Sequence, residues 1–481
     1  MFTGEYPSTH QTVQADLELG SEFPTLAELL KISGYTTVGF CNNPLVGVLK
    51  NGLRRGFDAF YNYGGALPTR PAAGTLFPPP ISWLIEQYTQ FWRKLSYPVQ
   101  NAFAKSDFLF QLALHPWIVP LWTRIAHFKG NTAESLQDVN RFLRQKVEEH
   151  TSPRPGSATP FFCFVNLMQP HLPYWPPEPF IQKFAPYFFQ DRAARDFLRQ
   201  YNNQPYRWMA PLQESLSALE AQVLSDIYDA EVAYQDHLLG TVFDTLTATG
   251  LDQNTLVIVV ADHGEGLGEH QFVGHAFVVF EELVRVPLII RHPQHFPAGE
   301  RIRTPVSTRR LFHTVLEAAG VVEGMAQAKS TRVKLARRAQ QEIRRLSLTR
   351  TLSGFDPEQE TVLTEAFPPH ILIRAMEKRS DALLDHCQCH TTRRALYQGE
   401  KKLVQVGQQD SLYDLATDPA ELQDQMATAA ADHAPVLQQL LQKLVNTAEA
   451  RRPARTTAPR GISLEGDADL IRRMQELGYL D

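Results

Sequence analysis

The residues best able to do chemistry crowd into one short stretch. Asp262, His263, Glu265 and His270 lie within nine positions of sequence numbering 262–270, and His275 follows just beyond. Each can ligate a cation or move a proton, and such a concentration at one loop is more than a solvated turn requires. Gly264, Gly266 and Gly268 are interleaved with them, and their backbone freedom lets the chain approach an anion or metal closely. A second polar set, Met168 to Pro177, contains His171 on a proline-braced turn, where a ring suited to proton transfer or substrate contact is held stiffly.

The elements around these residues explain why they should meet. Residues 256–260 form an apolar, β-branched run that predicts a strand buried on both faces of a parallel sheet. In an open α/β sheet ligands bind at the carboxyl edge, which places Asp262, His263 and the glycine loop where chemistry is done. Residues 161–167 predict another strand, ending just before the His171 turn, and 286–290 a third. Helices are predicted over 24–31, with Pro24 at the first helical position, over 132–147, 225–246, 308–319 and 437–444, and a strand over 36–40. On the 225–246 helix, Asp229, Glu231 and Asp236 do not share one face, so they read as scaffold. The stretch 64–160 is Pro- and aromatic-rich and predicts a largely helical insertion.

The ordered run DHGEGLGEH, then GH at 274–275, then FEELVRVPLIIR at 280–291 resembles the C-terminal signature of the sulfatase family within the alkaline-phosphatase superfamily. LYDLATDPAE at 412–421 and LGYL at 477–480 extend the resemblance. It implies an α/β fold with a mixed, mainly parallel central sheet flanked by helices, and a small C-terminal α+β subdomain. The expected divisions are a main domain over 1–320, a basic helix or linker over 321–360, and a C-terminal subdomain over 361–481.

What the resemblance implies for the site is specific. Asp262 and His263 would hold a divalent metal, with a carboxylate and an imidazole suiting Mn2+, Zn2+ or Fe2+ somewhat better than Ca2+. His171, in a His-x-Pro-Tyr pattern, and His275 would steady the transferring group or protonate the leaving oxygen. His270, Lys129 and Asn43 are the expected substrate contacts. Many arylsulfatases have lysine at the place of His275, which predicts a pH dependence near neutrality here. The implied activity is sulfuric-ester hydrolysis on a small-molecule or glycan sulfate ester. Phosphodiester or phosphonate-ester hydrolysis, or phosphoglycerol transfer, is the alternative.

Departures from the family bear on catalysis. Neither a Cys-x-Pro-Ser-Arg nor a Pro-Ser-His nucleophile motif is present, nor the early acidic metal-ligand strand, so a fragment of a longer enzyme or a non-catalytic relative is expected. Asn42 and Asn43 stand where arylsulfatases carry a Gly-Lys-Trp-His stretch.

Composition sets limits. A net charge of -5 over 481 residues gives no reason to expect nucleic acid as a partner. The four cysteines are too irregularly spaced for a disulfide framework, and His386, Cys387, Cys389 and His390 lack the second ligand pair of a zinc site. No apolar run is long enough to predict a transmembrane helix, and no signal peptide is visible, so the chain as it stands reads as cytoplasmic.

Overall fold

A computed structural model describes residues 1–14, 17–43, 46, 51–64, 70–71, 129–151, 159–208, 211–321, 337–427 and 432–453. Most of the expected insertion, the first part of the basic stretch and the terminal LGYL lie outside these residues.

A three-stranded parallel sheet carries the first half of the chain. Thr36–Cys41 (β1) is central, with Ala59–Asn62 (β2) and Phe161–Asn166 (β3) on its two sides. Its aromatic and β-branched sequences, TTVGFC and FFCFVN, suit a pleated and partly buried surface. Parallel neighbours need crossovers, and helix Thr132–Thr151 lies in the connection between β2 and β3. Val38 and Phe40 of β1 pack against Leu136, Val139 and Leu143 of that helix. Burial contributes about 2 kcal/mol for each such side chain.

The helix preceding β1 spans Leu26–Ile32, and its start differs from the expectation built on Pro24. Thr25 is the N-cap, and its hydroxyl and the Glu28 carboxylate exchange hydrogen bonds with each other's backbone N–H. This capping box satisfies two orphan donors, so the proline lies before the cap. The predicted 225–246 helix extends to Ala218–Thr249, with a capping box of Ser217 and Glu220 at one end and Gly250 at φ +72° at the other. Its buried face carries Val223, Leu224, Ile227, Ala230 and Glu231.

The strand before the Asp262 loop is a correction. Val257–Val260 (β4) pairs antiparallel with Leu288–Arg291 (β7), and all four β4 residues are half-buried. Among the described residues β4 has one hydrogen-bonded neighbour, and its side chains are only partly covered. Ile289 of β7 is correspondingly 63% exposed.

The C-terminal unit is an antiparallel sheet in the order β11-β10-β9-β8, built from Gln409–Asp414 (β11), Lys401–Val406 (β10), Arg393–Gln398 (β9) and Thr361–Ala366 (β8). Helix Ala434–Ala450 covers one face, with Leu437, Leu441 and Val445 packed on Leu396, Leu403 and Leu412. All four cysteines are free, and Cys389 is buried in an apolar cluster. Among the described residues no helix is long and apolar enough to cross a membrane.

Candidate active site

The loop after β4 turns back on itself through a two-residue ribbon, Gly266–Leu267 (β5) paired with Val273–Gly274 (β6). This returns His275 to the neighbourhood of His263. Gly264 permits the tight start: a Cβ there would stand 1.9 Å from the Glu282 carbonyl oxygen. Its N–H donates to the Leu283 carbonyl at 2.7 Å, so the loop lies directly on the turn that follows it in space.

Three histidine rings then form a row. His263 and His275 stack with centroids 4.3 Å apart, and His171 approaches His275 at 4.8 Å. Glu265, whose side chain is 3% exposed, sits 3.2 Å from His275 Nδ1. Burial alone would lower the His275 pKa, but the hydrogen bond and charge of Glu265, with Asp262 beyond, raise it above the ordinary histidine value. His171 goes the other way. Burial, then the neighbouring His275, with a smaller contribution from Lys129, hold it down at about 4. A ring kept neutral in this way is a poor proton donor, although His171 was expected as one candidate for that role. Its Nδ1–H donates to the Leu172 carbonyl at 2.5 Å, which makes Nε2 the acceptor nitrogen.

Asp262 and His263 stand at the strand end as expected. His263 Nδ1–H donates to the Gly264 carbonyl at 2.7 Å, and Nε2 lies 3.8 Å from Asp262 Oδ1. Fixing one imidazole nitrogen on a carbonyl leaves the other basic and oriented, the usual arrangement of a metal-ligating histidine. An oriented imidazole nitrogen beside an exposed carboxylate is a donor set whose chemistry fits a divalent cation.

Lys129 joins the cluster through a residue that sequence reasoning set aside. Its Nζ donates to Glu231 Oε1 at 2.9 Å and to the Pro173 carbonyl at 3.0 Å. The same Glu231 oxygen accepts from the Trp175 N–H at 2.7 Å, so one carboxylate ties Lys129 to the loop that carries His171. Asp229 and Asp236 of that helix point to solvent. The lysine's pKa is lowered by burial, against the pull of Glu231 and Glu265.

Asn43 and His270 fall elsewhere. Asn43 accepts from the Cys41 thiol through its backbone carbonyl at 3.4 Å. Its neighbour Asn42 is fully buried and donates to Thr132 Oγ1 at 3.0 Å, while Thr132 in turn bonds Gln169, just before His171. Asn42 thus braces the His171 loop, a role the Asn-Asn-Pro sequence did not single out. His270 stacks on Phe280 at 3.7 Å and faces Glu282 rather than the histidine row. The thiols of Cys41 and Cys163 are pushed up to about 12 by burial, so neither is an anionic nucleophile at neutral pH.

The loops after β3 and β4 bring three histidine rings together beside a buried lysine, on an α/β fold with a smaller antiparallel unit, the architecture of the alkaline-phosphatase-like class. The fold matches that of the phosphonate monoester hydrolase of Agrobacterium radiobacter with a TM-score of 0.57 and 20% identity, covering 97% of this chain and 89% of that one. The Sulfatase family model matches residues 1–321, and the chain belongs to the sulfatase family. It is 31% identical over 167 residues to the Escherichia coli protein described as uncharacterized sulfatase YidJ, covering 34% of this chain and 32% of that protein. It is 22% identical over 328 residues to an ulvan-active sulfatase of Formosa agariphila, covering 67% of this chain and 51% of that protein. The matched stretches thus span about a third to a half of those relatives. Sulfatases are in general dependent on a divalent metal.

Proposed function

We propose that this chain acts in sulfuric-ester hydrolysis, on a small-molecule or glycan sulfate ester, with a divalent cation held in part by Asp262 and His263. The observation that carries the reading is the row of His263, His275 and His171 beside Glu265 and Lys129, which gathers metal donors, one ring that favours its proton and one that does not. When bound, the cation polarises the ester oxygens and lowers the pKa of an oxygen nucleophile.

The chain's own residues do the rest. Lys129 and protonated His275 bring positive charge to the sulfate oxygens. Glu265 holds the His275 proton on Nδ1, so the proton on Nε2 is the one available to the leaving oxygen. His171, neutral, accepts through Nε2 from the attacking group or from an ester hydroxyl. Splitting the pKa values of two adjacent rings assigns one to donate and one to accept.

Phosphonate-ester or phosphodiester hydrolysis is the second reading, supported by the fold shared with a phosphonate monoester hydrolase. The test is paired turnover of an aryl sulfate and an aryl phosphodiester with Mn2+ present. Faster cleavage of the aryl sulfate is expected. Faster cleavage of the phosphodiester moves the reaction to the second class, and no turnover of either contradicts hydrolysis by this chain.

A further inference from the structure

His270 and Glu421 both hold left-handed backbone angles, φ +51° and φ +53°, although neither is glycine. That region costs such residues on the order of 1 kcal/mol or more, and it persists only where surrounding structure enforces it. The two residues meet at the seam between the Asp262 loop and the C-terminal sheet. Glu282, in the short helix Glu281–Val284, is the third member: one donor atom from each of His270, Glu282 and Glu421 lies within 4.8 Å of the other two.

The surroundings favour a cation. His270 Nε2 is 3.9 Å from Glu282 Oε1, a buried oxygen with no hydrogen-bond partner. The His270 ring is clamped flat on Phe280 with ring centroids 3.7 Å apart, which fixes its orientation. Lys402 is fully buried beside them, its Nζ 2.7 Å from Glu421 Oε1 and 3.1 Å from Glu281 Oε1. Three carboxylates, those of Glu281, Glu282 and Glu421, therefore crowd round a single ammonium. Each carboxylate oxygen has two acceptor sites, so Glu421 can serve both Lys402 and a cation.

We propose that His270, Glu282 and Glu421 form a second divalent-cation site, which fastens the C-terminal sheet to the main unit. One nitrogen and two carboxylates suit Zn2+ or Mn2+, with donor distances of about 2.0–2.2 Å, so the donors must draw in by about 1 Å around the ion. Glu282, whose side chain is 16% exposed, is the donor with room to move. The site shares no donor with Asp262 and His263, and it stands whether or not the hydrolytic reading does.

The test removes the first site and counts what remains. The full chain carrying Asp262→Asn and His263→Ala is loaded with Zn2+ or Mn2+, dialysed, and its metal content measured, with thermal unfolding followed in parallel. It should retain a single equivalent of one of these ions, and added metal should raise its Tm. Adding Glu282→Gln, close to isosteric, or His270→Ala should abolish both effects while circular dichroism stays unchanged. Retention of neither ion, or equal retention after Glu282→Gln and His270→Ala, would overturn the proposal.

Discussion

Replacing Glu231 by glutamine isolates the buried ion pair on which the His171 loop is hung. The Glu231 side chain is 1% exposed and that of Lys129 12%, so the pair is little screened by solvent. Glutamine can still accept the Trp175 N–H, but it leaves the Lys129 ammonium without its counter-charge. Removing one partner of a buried pair costs about 3–5 kcal/mol. The loss has a ceiling, because the lysine can shed its proton: bringing an ordinary pKa of about 10.4 down to 7 corresponds to about 4–5 kcal/mol. With burial already lowering the Lys129 pKa in the native protein, a loss of about 3 kcal/mol at pH 7 is expected. For a chain of this length the unfolding entropy is on the order of 1 kcal/mol/K, so Tm should fall by about 3 °C.

Two controls make that number diagnostic. In Glu231→Gln the folded lysine is neutral while the unfolded one binds a proton up to about pH 10, so stability rises with pH and about 2–3 kcal/mol should return between pH 7 and 9. In the double variant Lys129→Met with Glu231→Gln no charge is left stranded, and stability should come back to within about 1 kcal/mol of the parent, a coupling of about 2–4 kcal/mol. The assay is calorimetric and urea unfolding of the parent, Lys129→Met, Glu231→Gln and the double variant at both pH values. A loss below about 1 kcal/mol in Glu231→Gln, or losses that simply add in the double variant, would refute the pairing as the organising contact.

Other outcomes follow from particular contacts. Arg310 is fully buried and donates to the Leu346 carbonyl at 2.8 Å, to Thr351 Oγ1 at 2.8 Å and to Asp356 at 2.7 Å. Lysine cannot reach all of these, so Arg310→Lys should cost about 3 kcal/mol in urea unfolding, and an unchanged midpoint would count against it. His313 is held down at about 3 by burial first and Arg309 second. Its unfolded pKa is about 6.5, so the unfolded chain binds a proton that the native ring refuses, and stability is lost as pH falls from 6.5 towards 3. His313→Gln should flatten that dependence by up to about 1.4 kcal/mol per pH unit, whereas parallel profiles would contradict it. Gly264→Ala drives a Cβ against the Glu282 carbonyl, so at least a tenfold loss of metal affinity is expected by calorimetry, and unchanged affinity would show that the loop yields.

The strand-end placement of Asp262 and His263 was legible because a β-branched run and a polar loop carry their meaning locally. The same holds for β1, β3 and the helices Thr132–Thr151 and Ala218–Thr249, whose cores follow simple periodicities. What escaped was contact across long separations. Glu231 shares a helix with two exposed acids, and only its packing under Lys129, far away in sequence, distinguishes it. His270 looked like a neighbour of His275, yet the left-handed backbone at 270 and 271 turns it to the C-terminal sheet. The extent of β4 burial was misjudged because an apolar run does not state how many neighbours will pair with it. The Thr25 capping box, by contrast, was present in the sequence as Thr-x-x-Glu and overshadowed by Pro24.

Binding of an aryl sulfate, followed by titration calorimetry with Mn2+ present, tests most directly whether this cluster is where a sulfate ester is held. Saturable binding to the full chain is expected, weakened at least tenfold by Lys129→Met or His275→Ala and lost in Asp262→Asn with His263→Ala. Equal binding by all of these variants, or binding indifferent to removal of the metal, would contradict it.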